Sequence, residues 1–416
     1  MDDLFSGTKA VDQKLKFDEQ GLHDWFSKNL SEFGSIETIE QFKGGQSNPT
    51  YKITTANKKF VLRRKPPGKL LPSAHAVDRE YKVITALNST DVPVPRTFGL
   101  CEDEKIIGTP FFVMEFLDGK IYWDLLLEDF NPKIRRKIYD SKNKVISALH
   151  QVNFESIGLG DYGKHGNYVA RQVSTWTKQY LASETDDIDA MNNLIEWLPK
   201  NIPDDDETSI VHGDYRLDNM IFNDNHEVIG VLDWELSTLG HPIADFNYHC
   251  LNWRTLPQLQ DEKYCKESGI PSEKEYMDMY AMRTGKDLNK HWEFYIIFNV
   301  FKIAAICQGI LGRVRDGTAA SKAKDHIPMQ ERRRRSSHLR QLSASKKMDW
   351  HTSFRGQEVR VLLENPKNGY YGGYTENYLK LMIPVEQENL ENNFARVRVG
   401  EARPEYCLGQ ILEIED

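Results

Sequence analysis

The sequence predicts an α+β chain in three successive parts: a small strand-rich lobe, a larger helical lobe and a small C-terminal β-barrel. Three observations carry this. Short alternating apolar segments crowd into residues 1–118; helical spacing of apolar residues dominates 119–320; after a basic stretch at 321–350, short alternating segments return over 351–416.

In chain order, TYKITT and KKFVLRR read as strands joined at Asn57. AHAVDREYKVITALN has helical spacing, with Val77, Tyr81, Ile84 and Leu87 on one face. IIGTPFFVMEFLDG reads as a buried strand that runs into a turn at Asp118 and Gly119. Helices follow in RRKIYDSKNKVISALHQV, RQVSTWTKQYLA and IDAMNNLIEWLPKNI. Two short strands, IVHGD and NMIFN, flank a polar motif, then VIGVLDWE, and helices resume to about residue 315. Within them FYIIFNVFKIAAICQGIL carries Lys302 and Gln308, so a buried helix is expected rather than a membrane span. Residues 321–347 hold nine Lys/Arg against two acids, the composition of a linker or exposed helix. GQEVRVLLENP, YYGGYTENYLKLMIP, NNFARVRVG and CLGQILEIE then give the strands of the small barrel.

Bulk composition excludes several classes. A net charge of −8 disfavours the surface as a whole as a nucleic-acid binder. The five cysteines stand at no metal-ligand or redox spacing, as expected of reduced thiols in the cytoplasm. The acidic N-terminus has no secretory character, and no membrane association is expected.

The chemistry concentrates in HGDYRLDN, residues 212–219. Asp214 and Asn219 stand five apart, the spacing at which a catalytic loop supplies a carboxylate base for a hydroxyl and an amide oxygen for a metal ion. Fourteen residues on, Asp233 ends the strand VIGVLD, where a second hard oxygen ligand would be held rigidly and suit Mg²⁺. Arg216 would reach a transferring phosphoryl group. The bland alternative is a surface hairpin with solvated charges. Upstream, Gly44, Gly45, Ser47 and Asn48 lie between strands, where backbone N–H groups would approach phosphates, although a hairpin without ligand has the same pattern. Arg63 sits where the phosphate-contacting lysine of a V-A-I-K strand would sit, and Glu80 is its candidate ion-pair partner. Arginine in place of lysine keeps the charge and changes the reach. The backbone near Glu115 and Leu117 would take an adenine edge.

GGQSNPTY, FVLRRKPPGKLLPSAHAVDREY, FFVMEFLDG, IVHGDYRLDNMIF and VLDWELSTLGHPIADF, in this order, resemble the aminoglycoside-phosphotransferase-like kinases over roughly residues 20–320. The RRKPPGKLLPSAH and AAICQGILGR segments are similar to the branch fused to acyl-CoA dehydrogenases. The resemblance implies a bilobal protein-kinase-like fold, ATP (occasionally GTP), Mg²⁺, and transfer to a small-molecule hydroxyl. It implies Asp214 as base, Asn219 and Asp233 as metal ligands, Arg63 on the nucleotide phosphates, and His212 and Asp245 as braces of the loop. The acceptor is not written in the sequence. The acidic run at Asp204, Asp205, Asp206 and Glu207 reads as a solvated loop, whereas Arg64, Lys65 and Lys69 would suit an anionic acceptor such as a hydroxyacyl-CoA.

The tail, through GQEVRVLLENPKNGYYGGYTENYLKLMIP, resembles the TRAM barrel of threonylcarbamoyladenosine-tRNA methylthiotransferases. That likeness implies tRNA contact, with Tyr370, Tyr371, Tyr374 and Tyr378 exposed for base stacking. No CxxxCxxC occurs, so a radical-SAM cluster has no ligand set and methylthiolation is not expected. The leading expectation is an ATP-dependent small-molecule kinase. The alternative is a catalytically idle kinase-like module with an RNA-binding tail.

Overall fold

The computed structural model describes residues 7–43, 48–68, 75–315, 348, 350–375, 379–387 and 389–415. The chain divides into two compact units, Met1–Gly317 and Thr318–Asp416. Gly44, Gly45, Ser47, Lys69, Tyr378 and most of the basic linker lie outside the described residues.

The first unit begins with a six-stranded antiparallel sheet in the order β1-β2-β3-β4-β6-β5. Its strands are β1 (Thr8–Lys9), β2 (Ile36–Phe42), β3 (Thr50–Thr55), β4 (Lys59–Arg64), β5 (Thr97–Cys101) and β6 (Phe111–Glu115). Helix α1 (Glu19–Asn29) starts where the Asp18 side chain accepts from the Gly21 N–H, and it buries Leu22 and Phe26 with Tyr51, Phe60 and Leu62. Helix α2 (Val77–Leu87) covers the opposite face, its apolar positions joining Val61 in the main core. Strand β4, covered on both faces, alternates as strands must. Val61 and Arg63 therefore face α2, and Phe60, Leu62 and Arg64 face α1.

The strand expected to start at Ile106 begins only at Phe111. Ile106 and Ile107 belong to a one-turn helix, α3 (Glu104–Ile107), which Asp103 caps by accepting from the Lys105 N–H and left-handed Gly108 terminates.

After β6 the chain enters the helical lobe. Residue 120 exchanges both backbone hydrogen bonds with Phe222 at 2.8 Å, so the crossing lies flat on the hairpin of β8 (Met220–Phe222) and β9 (Val228–Val231). Gly230 makes room for it: a Cβ there would come within 2.3 Å of the Leu117 side chain. Helix α4 (Pro132–Gln151), capped by Asn131, runs beneath, followed by α5 (Tyr168–Ser183) and α6 (Asp189–Trp197). A second short pair, β7 (Ser209–Val211) with β10 (Thr238–Gly240), carries the polar motif. Beyond it come α7 (Pro242–Cys250), α8 (Asn252–Thr255), α9 (Pro257–Gln260), α10 (Glu262–Ser268), α11 (Glu273–Thr284) and α12 (Trp292–Arg315). By length and composition α12 is long and apolar enough to cross a membrane; here it packs against α5 and α7.

The second unit is a five-stranded sheet in the order β11-β14-β15-β13-β12, made of β11 (Glu358–Leu362), β12 (Tyr370–Tyr374), β13 (Lys380–Pro384), β14 (Phe394–Ala402) and β15 (Cys407–Glu415). Its edge strands approach where the Glu364 N–H donates to the Gly372 carbonyl at 2.8 Å. The alternation that puts Ala395, Val397 and Val399 in the core turns Arg396 and Arg398 outward. The same alternation corrects one expectation. Tyr371 is not exposed: it points inward from β12, donates to the Gln387 carbonyl and accepts from the Leu390 N–H.

Candidate active site

The motif 212–219 is a loop pinned from below. Asp245, in the first turn of α7, accepts from the N–H groups of His212 and Gly213, each at 2.9 Å, and from His150 Nε2 at 3.2 Å. Burial opposes its charge, but these donors, with the His150 and His212 rings, hold its carboxyl down to about 2. The helix N-terminus favours the same anion. Gly213 is required in the loop, because φ is +84° and a Cβ would lie 2.9 Å from the Leu236 carbonyl oxygen. Two more anchors follow: the Tyr215 hydroxyl donates to the Lys142 carbonyl, and His249 Nδ1 donates to the Tyr215 carbonyl, both at 2.8 Å.

His212 is wholly buried, with Nε2 donating to the Leu232 carbonyl at 2.9 Å while Nδ1 accepts from the Asp214 N–H at 3.2 Å. The Leu232 N–H in turn donates to the Asn219 carbonyl at 2.8 Å. Thus one histidine and one backbone bond lock the strand end bearing Asp233 to the loop bearing Asp214 and Asn219. The Asn219 amide nitrogen donates to the Asp214 carbonyl at 2.9 Å and to its carboxylate at 3.3 Å. That bond orients the carboxylate and leaves the Asn219 side-chain oxygen as a donor for a cation.

Asp214 is partly buried, and burial raises its pKa against the pull of Arg216 and His212; the Asp233 carboxylate pushes the same way as burial. A carboxylate so placed is a stronger base than an exposed one. Asp233 has φ +64° and ψ +62°, a left-handed conformation unusual for a residue with a side chain, and it starts the turn Trp234–Leu236.

Arg63 joins the two lobes. Its Nε donates to Glu80 at 2.7 Å and its terminal nitrogen to Asp233 at 2.5 Å, with Glu235 at 3.9 Å. Glu80 occupies a core position of α2 beside Val77, Val83 and Ile84, where a carboxylate survives only with a partner. Burial pushes the Glu80 carboxyl up to about 7 against the pull of Arg63, while Glu80, Asp233 and Glu235 together outweigh burial and raise the Arg63 pKa.

Other expected residues fall elsewhere. Arg216 grips Asp218 with two bonds, at 3.0 and 2.6 Å, and its charge also acts on the Asp214 carboxylate. Arg64 lies in the core of the small lobe, its guanidinium over the Phe17 ring at 5.1 Å and donating to the Ile107 carbonyl. Strand alternation therefore removes it from any acceptor. Asn48 is buried and bonded to His75 at 3.0 Å. At the lobe crossing the Glu115 N–H is committed to the Arg96 carbonyl, and the Phe42 and Phe116 rings lie nearly parallel with centroids 6.4 Å apart. Sequence reasoning missed His150, Tyr215 and His249, because partners 34 to 130 residues away define them.

The oxygen donors left at Asn219 and Asp233 form a hard set suited to Mg²⁺.

Comparison with known proteins bears on the family and the fold. A model of the phosphotransferase enzyme family matches residues 38–280. The chain is 48% identical over 323 residues to mouse acyl-CoA dehydrogenase family member 10, covering 76% of this chain and 30% of that relative, so it spans about a third of the relative's length. A solved protein of Ralstonia eutropha, provisionally designated an aminoglycoside phosphotransferase, superposes with a TM-score of 0.68 and 48% identity over 74% of this chain and 92% of its own. A further stretch of 104 residues, 24% of this chain, is 30% identical to the tRNA-2-methylthio-N(6)-dimethylallyladenosine synthase of Bacillus cereus and covers 20% of it. With its strand-rich small lobe, helical large lobe and matched residues 38–280, the chain belongs to the phosphotransferase enzyme family and has a protein-kinase-like fold.

Proposed function

We propose that this chain transfers the γ-phosphoryl group of ATP to a hydroxyl group of a small molecule. Asp214 takes the hydroxyl proton as the oxygen attacks phosphorus and ADP leaves. Asn219 and Asp233 hold Mg²⁺, which when bound neutralises charge on the phosphate oxygens. Arg63, kept in register by Glu80, contacts the nucleotide phosphates, and Glu115 and Leu117 present backbone to the base. The observation that carries this reading is the Asn219 amide bonded to Asp214 on a loop that His212 and Leu232 tie to Asp233. An idle module would have no need of a base oriented in this way.

The name of the relatives, acyl-CoA dehydrogenase family members, supports a hydroxyacyl-CoA ester as the first acceptor candidate. A cytoplasmic site suits the free thiols. The test is ADP release across a panel of hydroxylated metabolites, with Asp214→Asn as control. Turnover by the variant at the parental rate removes Asp214 from the mechanism.

For the C-terminal unit a second reading rests on the Bacillus cereus relative: a TRAM-like sheet that touches tRNA. Arg360, Arg396 and Arg398 already pair with Glu415, Glu413 and Glu358, so little free positive charge remains on that face. Filter binding of tRNA across a salt titration decides it, and the absence of a salt-dependent complex ends it.

A further inference from the structure

A helix at the surface of a folded chain is normally apolar on one side and polar on the other. Helix α12, WEFYIIFNVFKIAAICQGILGRVR, departs from this: its charges stand only at Glu293, Lys302, Arg313 and Arg315. One side packs as expected. Phe294, Phe298, Phe301 and Ala305, three or four residues apart, join the main core where α12 meets α5 and α7. The opposite side is just as apolar and faces solvent. Val300 is 46% exposed and Leu311 50%, with exposed Cys307 and half-buried Ala304 between them. At 3.6 residues per turn, steps of four, three and four put these positions in one stripe. Only 33% of the most apolar stretch of the helix is buried. Lys302 does not interrupt the stripe, because its ammonium lies over the Tyr248 ring, 4.3 Å from the centroid. Charge appears only at the two ends of the same side. Glu293, 74% exposed and bonded at 3.3 Å to Arg254, opens it, and exposed Arg315 closes it. Ala304 stands eleven residues from each, about three turns, so all three share one side.

We propose that this stripe is the contact with a second copy of this chain, the two α12 helices crossing antiparallel about a two-fold axis at Ala304. The charge pattern selects this occupant. An antiparallel copy sets the partner's Arg315 against Glu293 and the partner's Glu293 against Arg315, each about 16 Å from the axis. A parallel copy would set like charges together. The small Ala304 side chain lets the two backbones approach at the crossing, and antiparallel helix dipoles attract. A shallow crossing of about 20° keeps both end pairs within reach of their long side chains. A lipid surface or an unrelated apolar groove has no use for opposite charges placed symmetrically about one alanine.

Analytical ultracentrifugation of the full chain over a concentration series is the test, and it should show a monomer–dimer equilibrium. Leu311→Glu should raise the dimer Kd on the order of 100-fold, because the two-fold buries the new charge twice. Glu293→Arg and Arg315→Glu should each weaken the dimer, and the double exchange should restore it, with circular dichroism confirming that every variant is folded. A chain that stays monomeric over the whole series, a dimer indifferent to Leu311→Glu, or a double exchange no better than the single ones overturns the proposal. Register is checked by oxidation in a Cys307→Ser background. Ala304→Cys, at the axis, should form a disulfide-linked dimer, whereas Leu311→Cys, about 21 Å along the axis from its symmetry mate, should not. Equal cross-linking at both positions overturns it. Flotation with vesicles of phosphatidylcholine and phosphatidylserine separates the remaining occupant: a chain that floats with them, and loses this with Leu311→Glu, uses the stripe for a membrane instead.

Discussion

The two units of this chain handle charge in opposite ways. In the phosphotransferase unit Asp245, Glu80 and Arg63 are taken out of water and then satisfied by partners from distant elements. In the C-terminal unit Arg360, Arg396 and Arg398 stand outside the sheet and pair with glutamates on neighbouring strands, half of each side chain remaining in solvent. An exposed pair adds little to stability, because water solvates both ions nearly as well apart. A buried ion is costly unless its partner is in place, so its geometry is held tightly. That rigidity is what a catalytic loop requires.

Breaking this contrast has graded consequences. Asp214→Asn should lower kcat by about 10²- to 10⁴-fold while ATP still binds, measured by turnover alongside nucleotide titration. Because burial raises the Asp214 pKa, the acid limb of kcat/KM should also fall above the ordinary aspartate value, with activity lost as pH drops through it.

Arg63→Met should come next, destabilising the fold by about 3–5 kcal/mol, since it strands Glu80 in an apolar helix face. Denaturant unfolding checks this, and the double variant with Glu80→Gln should recover most of the loss. If the double variant is no more stable than the single, the pair is not the cause.

Asp245 gives a smaller, pH-dependent effect. Its folded carboxyl, at about 2, lies below its ordinary 3.8. The sign follows: its contribution is present above pH 3.8 and disappears as pH falls through the folded value, roughly 2 kcal/mol in all. Asp245→Asn should flatten the unfolding curve in that window. The smallest effect belongs to the second unit: replacing Arg360, Arg396 and Arg398 by Gln should leave Tm almost unmoved, and high salt should erase what difference remains.

Some of this was legible in the residues. HGDYRLDN and the strand end at Asp233 are local patterns, and the positions of Asp214, Asn219 and Asp233 follow from spacing that short loops and strands impose. Glu80 was legible too, as the candidate ion-pair partner of Arg63 in the following helix. Arg63 and Arg64, in contrast, are neighbours with the same side chain, and only the alternation of β4 between two covered faces separates a site residue from a core residue. Tyr371 and Tyr374 divide in the same way on β12, one buried and one exposed. Ile106 and Ile107 read as strand until Asp103 and Gly108 are seen to cap a single turn.

By itself, the sequence determined the element types and the placement of Asp214, Asn219 and Asp233 around one loop, because these depend on side-chain period and on contacts a few residues apart. Only the tertiary structure decided that His150 and His249, from elements far away, join Asp245 in bracing that loop from below. The reason is physical: burial and ion pairing are set by whatever the packed chain brings alongside, and those neighbours come from elements far away in the sequence.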